Sequence, residues 1–149
     1  MTPPRHSAMF HPSTRSPAML SAVALGGALG TLARYGVDRT LPTNSGHFPI
    51  STLLINLSGS LLIGLLLPLA LHQVSHPLLR PFAVTGILGG WTTYSALATD
   101  AATLVKAGHT ALALGDLGAT VLGGFLLVAA GFYLSPAHSY VRYRQANGK

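Results

Sequence analysis

The stretch GILGGWTTYS, residues 86–95, sets three glycines and a group of hydroxyls inside a long uncharged segment. A glycine weakens a helix by roughly 1 kcal/mol relative to alanine. Thr92 and Thr93 add two β-branched residues beside Gly89 and Gly90. The pattern predicts a helix broken at Gly89-Gly90. At membrane depth an unwound backbone is tolerated only where it is buried in protein or lines a cavity. Its freed carbonyls can coordinate a small cation, and the neighbouring hydroxyls can donate to an anion. Helix packing alone is the plainer use of such glycines.

Four further groups carry chemistry. Asn56, in INLSGS, is an amide inside an apolar run, so it serves either as a bond between helices or as a pore-lining donor. Arg34 can reach the interface, with Asp38 one turn on as a partner. Asp100 needs an interfacial position or a nearby cation. His72 and His76 have the i, i+4 spacing of a metal pair, but Pro77 follows and no third ligand supports them, so interfacial histidines are the plainer reading. There is no catalytic dyad or triad, no phosphate-binding glycine loop and no paired carboxylates, and no cysteine for thiol chemistry. An enzyme is not expected.

These groups need elements to position them, and composition says which. Charged residues make up 8% of the 149-residue chain, against about 25% in soluble proteins. Mean hydropathy is +0.48. Uncharged runs predict an all-α membrane protein with four transmembrane helices, near residues 18–37, 49–71, 80–105 and 111–134. Pro42 to Gly46, Ser75 to Pro77 and Lys106 to His109 mark the turns between them. Residues 1–17 read as a disordered N-terminal tail, 18–134 as the transmembrane domain, and 135–149 as a basic C-terminal tail. Small residues recur four apart as Gly26/Gly30, Ser60/Gly64, Gly86/Gly90 and Ala119/Gly123, which suits close helix approach in lipid.

The net charge of +6 lies mainly at the two ends of the chain rather than along a helix face, so membrane flanks explain it better than nucleic acid. One side would carry Arg5, Arg15, Arg80, Arg142, Arg144 and Lys149, the other Arg39 and Lys106 with Arg34 near its edge. That bias predicts both termini in the cytoplasm, in a multi-pass protein of a prokaryotic inner (plasma) membrane.

Three motifs in order, GGALGTLARY (26–35), NLSGSLLIG (56–64) and GILGGWTTYS (86–95), resemble the CrcB/Fluc family of small fluoride channels over about residues 20–134. The resemblance implies an antiparallel dimer with two fluoride pathways. It implies one structural sodium ion, held by the backbone carbonyls of Gly89 and Thr92 from each subunit. Asn56 matches the asparagine that lines the fluoride path, with Thr93, Tyr94, Ser95 and Leu97 on the same pathway and Arg34 and Gly90 structural. The family uses two phenylalanines in the third span. Here Tyr94 keeps the first ring, Leu97 removes the second, Ala96 and Ala98 remove two hydroxyls, and Asp100 replaces a glutamate.

The expected function is therefore a passive, fluoride-selective channel that exports fluoride, formed as a homodimer or with an oppositely inserted homologue. The alternative drawn from Leu97 and the charge bias is a non-conducting or heterodimeric partner subunit. A proton-coupled small-molecule exporter is the weaker alternative, because it needs an intramembrane carboxylate and the centres of the predicted spans hold none.

Overall fold

The computed structural model describes residues 16–41, 46–72 and 76–136. Among them every regular element is helical. Most of both predicted tails (1–15 and 137–149), with five of the six basic residues behind the predicted orientation, lies outside the described residues. So does the side chain of His72, and with it the His72/His76 pair.

Helix α1 runs Pro17–Thr40, with Pro17 preset for the first turn and Ser16 as its cap, the Ser16 hydroxyl accepting from the Met19 amide at 3.2 Å. Its 24 residues span about 36 Å at 1.5 Å each, enough to cross a hydrocarbon core of about 30 Å. Helix α2, Ile50–His72, carries Pro68 in its interior. A proline there has no amide to give to the carbonyl one turn back. On the same turn the Leu65 carbonyl accepts the Ser135 hydroxyl at 3.0 Å.

The third stretch is built in pieces. A π-helix, Pro81–Leu88, leads into a single turn, α3, Gly89–Trp91. Thr92 and Thr93 are extended, and α4, Tyr94–Lys106, then resumes. Gly108, at φ +83°, turns the chain in a conformation that favours glycine, and α5 follows at Thr110–Leu134. Among the described residues three helices are long and apolar enough to cross a membrane: α1, the Ile50–Leu69 part of α2, and α5. Each half of the interrupted third stretch is too short to do so alone.

The break therefore lies three residues later than the sequence predicts. Gly89 keeps helical angles (φ −66°, ψ −32°), and the chain straightens at Thr92-Thr93 instead. Gly90 is glycine for space: a Cβ there would overlap the Gly27 carbonyl oxygen of α1. The chain yields at Thr93 because another partner is on offer to its backbone amide and carbonyl.

Two close-packed helix pairs form the frame. In the first, Gly26, Gly30, Gly86 and Gly90 press α1 against residues 81–91. A Cβ at Gly26 would strike the Phe82 carbonyl oxygen, and one at Gly30 that of Ile87. In the second, Gly64 of α2 meets Gly131 of α5, where a Cβ on either would overlap the other helix's backbone. Of the expected pair Ala119/Gly123 on α5, Gly123 does lie against α2, where a Cβ would meet the Leu57 side chain at 3.0 Å. Ala119 is exposed, and Gly124 and Gly131 are the buried small residues that face α2. Backbone contact of this kind replaces the hydrophobic drive that lipid removes.

Candidate functional site

Asn56 lies on α2 opposite the extended pair. Its Nδ2 donates to the Thr93 carbonyl at 3.1 Å, and its Oδ1 accepts from the Thr93 amide at 2.8 Å. The side chain thus pairs with the backbone of one residue as a neighbouring strand would. This is why the chain can leave its helix in an apolar setting, where an unpaired amide and carbonyl would each cost about 1–3 kcal/mol. Thr93 then starts the next helix: its Oγ1 accepts from the Ala96 amide at 3.1 Å and shares a hydrogen with Ser95 Oγ at 3.2 Å.

Two backbone oxygens lose their helical donors in the exchange. The amide that would close a turn onto Gly89 belongs to Thr93, and it points at Asn56. The amide that would close onto Thr92 belongs to Ala96, and it points at Thr93 Oγ1. The break thus releases carbonyl oxygens, the ligand type that suits a hard cation. On the α1 side the Gly90 carbonyl accepts from Arg34 Nε at 3.2 Å and Thr31 Oγ1 at 3.4 Å. Arg34 Nη1 also lies 3.8 Å from Asp38 Oδ2. Arg34 therefore ties the end of α1 to α3 as well as meeting its neighbour one turn on.

An open cleft of about 390 Å³ runs beside the break. Asn56, Thr92, Thr93, Tyr94 and Leu97 line it from one side, and Thr120, Gly124 and Phe125 of α5 from the other. Tyr94 is 83% exposed, so its ring stands at the mouth, whereas Leu97 is buried. Ser95 is exposed and reaches the site only through Thr93. The structure thus brings Asn56, Thr93, Tyr94 and Leu97 around one space, with Ser95 set to the side.

Asp100, one turn beyond Leu97, is satisfied by a hydroxyl rather than a cation: Thr52 Oγ1 donates to its Oδ2 at 2.6 Å. His76 Nδ1 accepts from the Leu78 amide at 3.3 Å. Among the described residues no three acidic or imidazole side chains gather at one point.

The chain matches the family model described as "CrcB-like protein, Camphor Resistance (CrcB)" over residues 21–132. The chain belongs to the CrcB family. The matched region takes in α2, the break, the cleft and almost all of α1 and α5. Curated CrcB relatives include "Fluoride-specific ion channel FluC 2" of Nocardia farcinica, 44% identical over 116 residues, covering 77% of this chain and 83% of the relative. "Fluoride-specific ion channel FluC" of Paracoccus denitrificans is 46% identical over 109 residues, covering 73% and 87%. The Pseudomonas putida protein of the same name is 41% identical over 120 residues, covering 79% and 97%. These are channels by name, and the CrcB chain described here is not an enzyme.

Three site residues of this CrcB chain escape a reading of sequence. Phe125 looks like one more lipid-facing residue of α5, yet its ring edges the same cleft as Tyr94 and Leu97. Thr120 has its hydroxyl buried on the cleft wall. Asp116, the seventh residue of α5, is 0% exposed: the centre of the span holds no carboxylate, but packing buries one near its start. Its spacing from Thr120, one turn, was the available signal.

Proposed function

We propose that this chain is a fluoride-selective channel that lets fluoride leave the cell passively, through the cleft between Asn56, Thr93 and Phe125. The observation that carries the reading is the Asn56–Thr93 pair on the cleft wall. One Nδ2–H of Asn56 is given to Thr93, which leaves the second for an anion. Fluoride is small and strongly hydrated, so close N–H and O–H donors are what can replace its water. The rings of Tyr94 and Phe125 add positive edges. Phe125 gives the cleft a second ring, the feature Leu97 removes from the third stretch. The names of the relatives support fluoride as the ion.

The broken stretch, taken from Pro81 to Lys106, serves in this reading as a fourth span between α2 and α5. A second copy, inserted the opposite way up, would meet it at Gly89, where a Cβ would find nothing within 4 Å and the backbone is open. The carbonyls of Gly89 and Thr92 fit a sodium ion at that junction, because both have lost their helical donors. Sodium there would supply fixed positive charge between two broken helices and would hold the subunits together. The multi-pass chain would lie in a prokaryotic inner membrane with both termini in the cytoplasm.

The test is fluoride efflux from liposomes that contain only this purified chain, with chloride as control. Fast efflux of fluoride but not chloride is expected. A folded, inserted chain that passes no fluoride would overturn the homodimeric channel. It would favour a partner subunit that needs an oppositely oriented homologue, the reading consistent with the one-sided basic residues.

A further inference from the structure

The chain has three acidic side chains, Asp38, Asp100 and Asp116, and packing gathers them toward one end of the helices. Asp38 is near the end of α1, Asp116 is near the start of α5, and Asp100 is bonded to Thr52 near the start of α2. The opposite end is formed by the start of α1, the end of α2 and residues 76–82. It carries His76 and Arg80 and no acidic side chain. Residues 1–15 and 137–149 contain no acidic side chain either.

Arg80 is exposed, with no hydrogen bond or ion pair among the described residues. His76 is exposed as well. Its Nδ1 accepts from the Leu78 amide at 3.3 Å, so the neutral ring carries its hydrogen on Nε2, free to donate.

Beside these groups a groove of about 380 Å³ separates the first turns of α1 from the start of the third stretch. Ala18, Ala22 and Leu25 form one wall, Leu79 and Phe82 the other, and the surface is almost wholly apolar. From Ala18 to Leu25 the wall rises about 10 Å along the helix. Gly26 meets Phe82 and Gly30 meets Ile87, so α1 and the third stretch run in the same direction and the groove follows both. Because α1 is long enough to cross a membrane, the groove lies along the direction of lipid tails.

We propose that this groove seats an anionic phospholipid. One acyl chain lies between α1 and residues 78–82, and the phosphate is held by Arg80 and the Nε2–H of His76. An apolar slot ending in two donors matches a lipid tail ending in a phosphate, and basic groups beside transmembrane helices attract anionic headgroups. The missing acids select the headgroup. A choline or ethanolamine group would bring a cation to an end that offers it no acidic side chain. A protein segment fits less well, because its backbone N–H and C=O groups would meet almost no polar atom on these walls. The inference depends on the membrane crossing and not on which ion the chain conducts.

The test uses the full-length chain in liposomes of phosphatidylglycerol and phosphatidylcholine with identical acyl chains. A trace of either lipid carrying a diazirine in its tail is added, and the labelled peptides are mapped after illumination. The phosphatidylglycerol probe should label residues 17–25 and 78–82 more strongly than the phosphatidylcholine probe does. Arg80→Gln should cut that labelling about fivefold, the worth of one basic group at an anionic surface. Lys106→Gln, at the opposite end, should leave it unchanged. Equal labelling by the two probes, labelling spread evenly over all the helices, or indifference to Arg80→Gln would each overturn the proposal. So would an unlabelled groove on an otherwise labelled α1, which would mean that a second copy or residues 1–15 cover it. Inorganic phosphate should compete no better than chloride of equal ionic strength. Competition matching that of unlabelled phosphatidylglycerol would show an anion site without a lipid. If Arg80→Gln does not fold, the comparison of the two probes on the wild type still decides.

Discussion

Asn56 and Thr93 exchange two hydrogen bonds, amide to carbonyl at 3.1 Å and backbone amide to side-chain oxygen at 2.8 Å. One side chain thereby satisfies both backbone groups of a residue that has left its helix.

Replacing Asn56 should therefore unfold the break rather than trim a surface. Asn56→Ala strands the Thr93 amide and carbonyl, at about 1–3 kcal/mol each. Asn56→Asp keeps the acceptor but turns the donor into a repelling oxygen. Both variants should unfold at lower temperature than wild type in detergent. An Asn56→Ala protein as stable as wild type would mean that water or lipid headgroups meet Thr93 instead.

The glycines separate into two kinds by what surrounds them. Gly30→Ala puts a methyl into the Ile87 carbonyl of the neighbouring segment, and α1 must move away. Gly118 has open space around it, so Gly118→Ala should be neutral or stabilise by up to about 1 kcal/mol through helix propensity. Unfolding curves for the two variants should move in opposite directions. Equal shifts would show that helix propensity, not close approach, governs both sites.

Arg34 reaches two partners of unequal worth. Its contact with Asp38 is long and partly exposed, and such pairs contribute about 0–1 kcal/mol. Its bond to the Gly90 carbonyl holds α1 to the turn before the break. Asp38→Asn should leave stability nearly unchanged, whereas Arg34→Gln should lower it clearly. A double-mutant comparison in which Asp38 accounts for the whole effect would refute the tie to Gly90.

Phe125 is tested by its shape. Phe125→Leu keeps the bulk but removes the ring edge from the cleft. If the cleft carries fluoride as proposed, efflux should fall on the order of tenfold, equivalent to about 1.4 kcal/mol in the barrier, with the protein still folded. Unchanged efflux would place the second ring of the pathway elsewhere.

The helical class, the position of the long apolar helices and the importance of Asn56 and the 86–95 stretch are legible in the residues themselves. Charge depletion over about 20 residues and the spacing of glycines are local properties, and lipid imposes them on the sequence directly. The site of the break was misplaced for the same reason. Propensity points to Gly89-Gly90, but those positions stay helical against α1, and the chain opens at Thr92-Thr93 because Asn56, 37 residues before Thr93, offers its amide there. Asp116 and Phe125 were missed because one charge near a helix start and one ring among many apolar residues look ordinary in a row of letters. Only the packing of α5 against α2 and α4 buries the first and turns the second to the cleft. Sequence alone determined which segments prefer lipid. Tertiary structure decided which backbone groups are released and which polar side chains are left without partners, since both depend on contacts between residues distant in the chain.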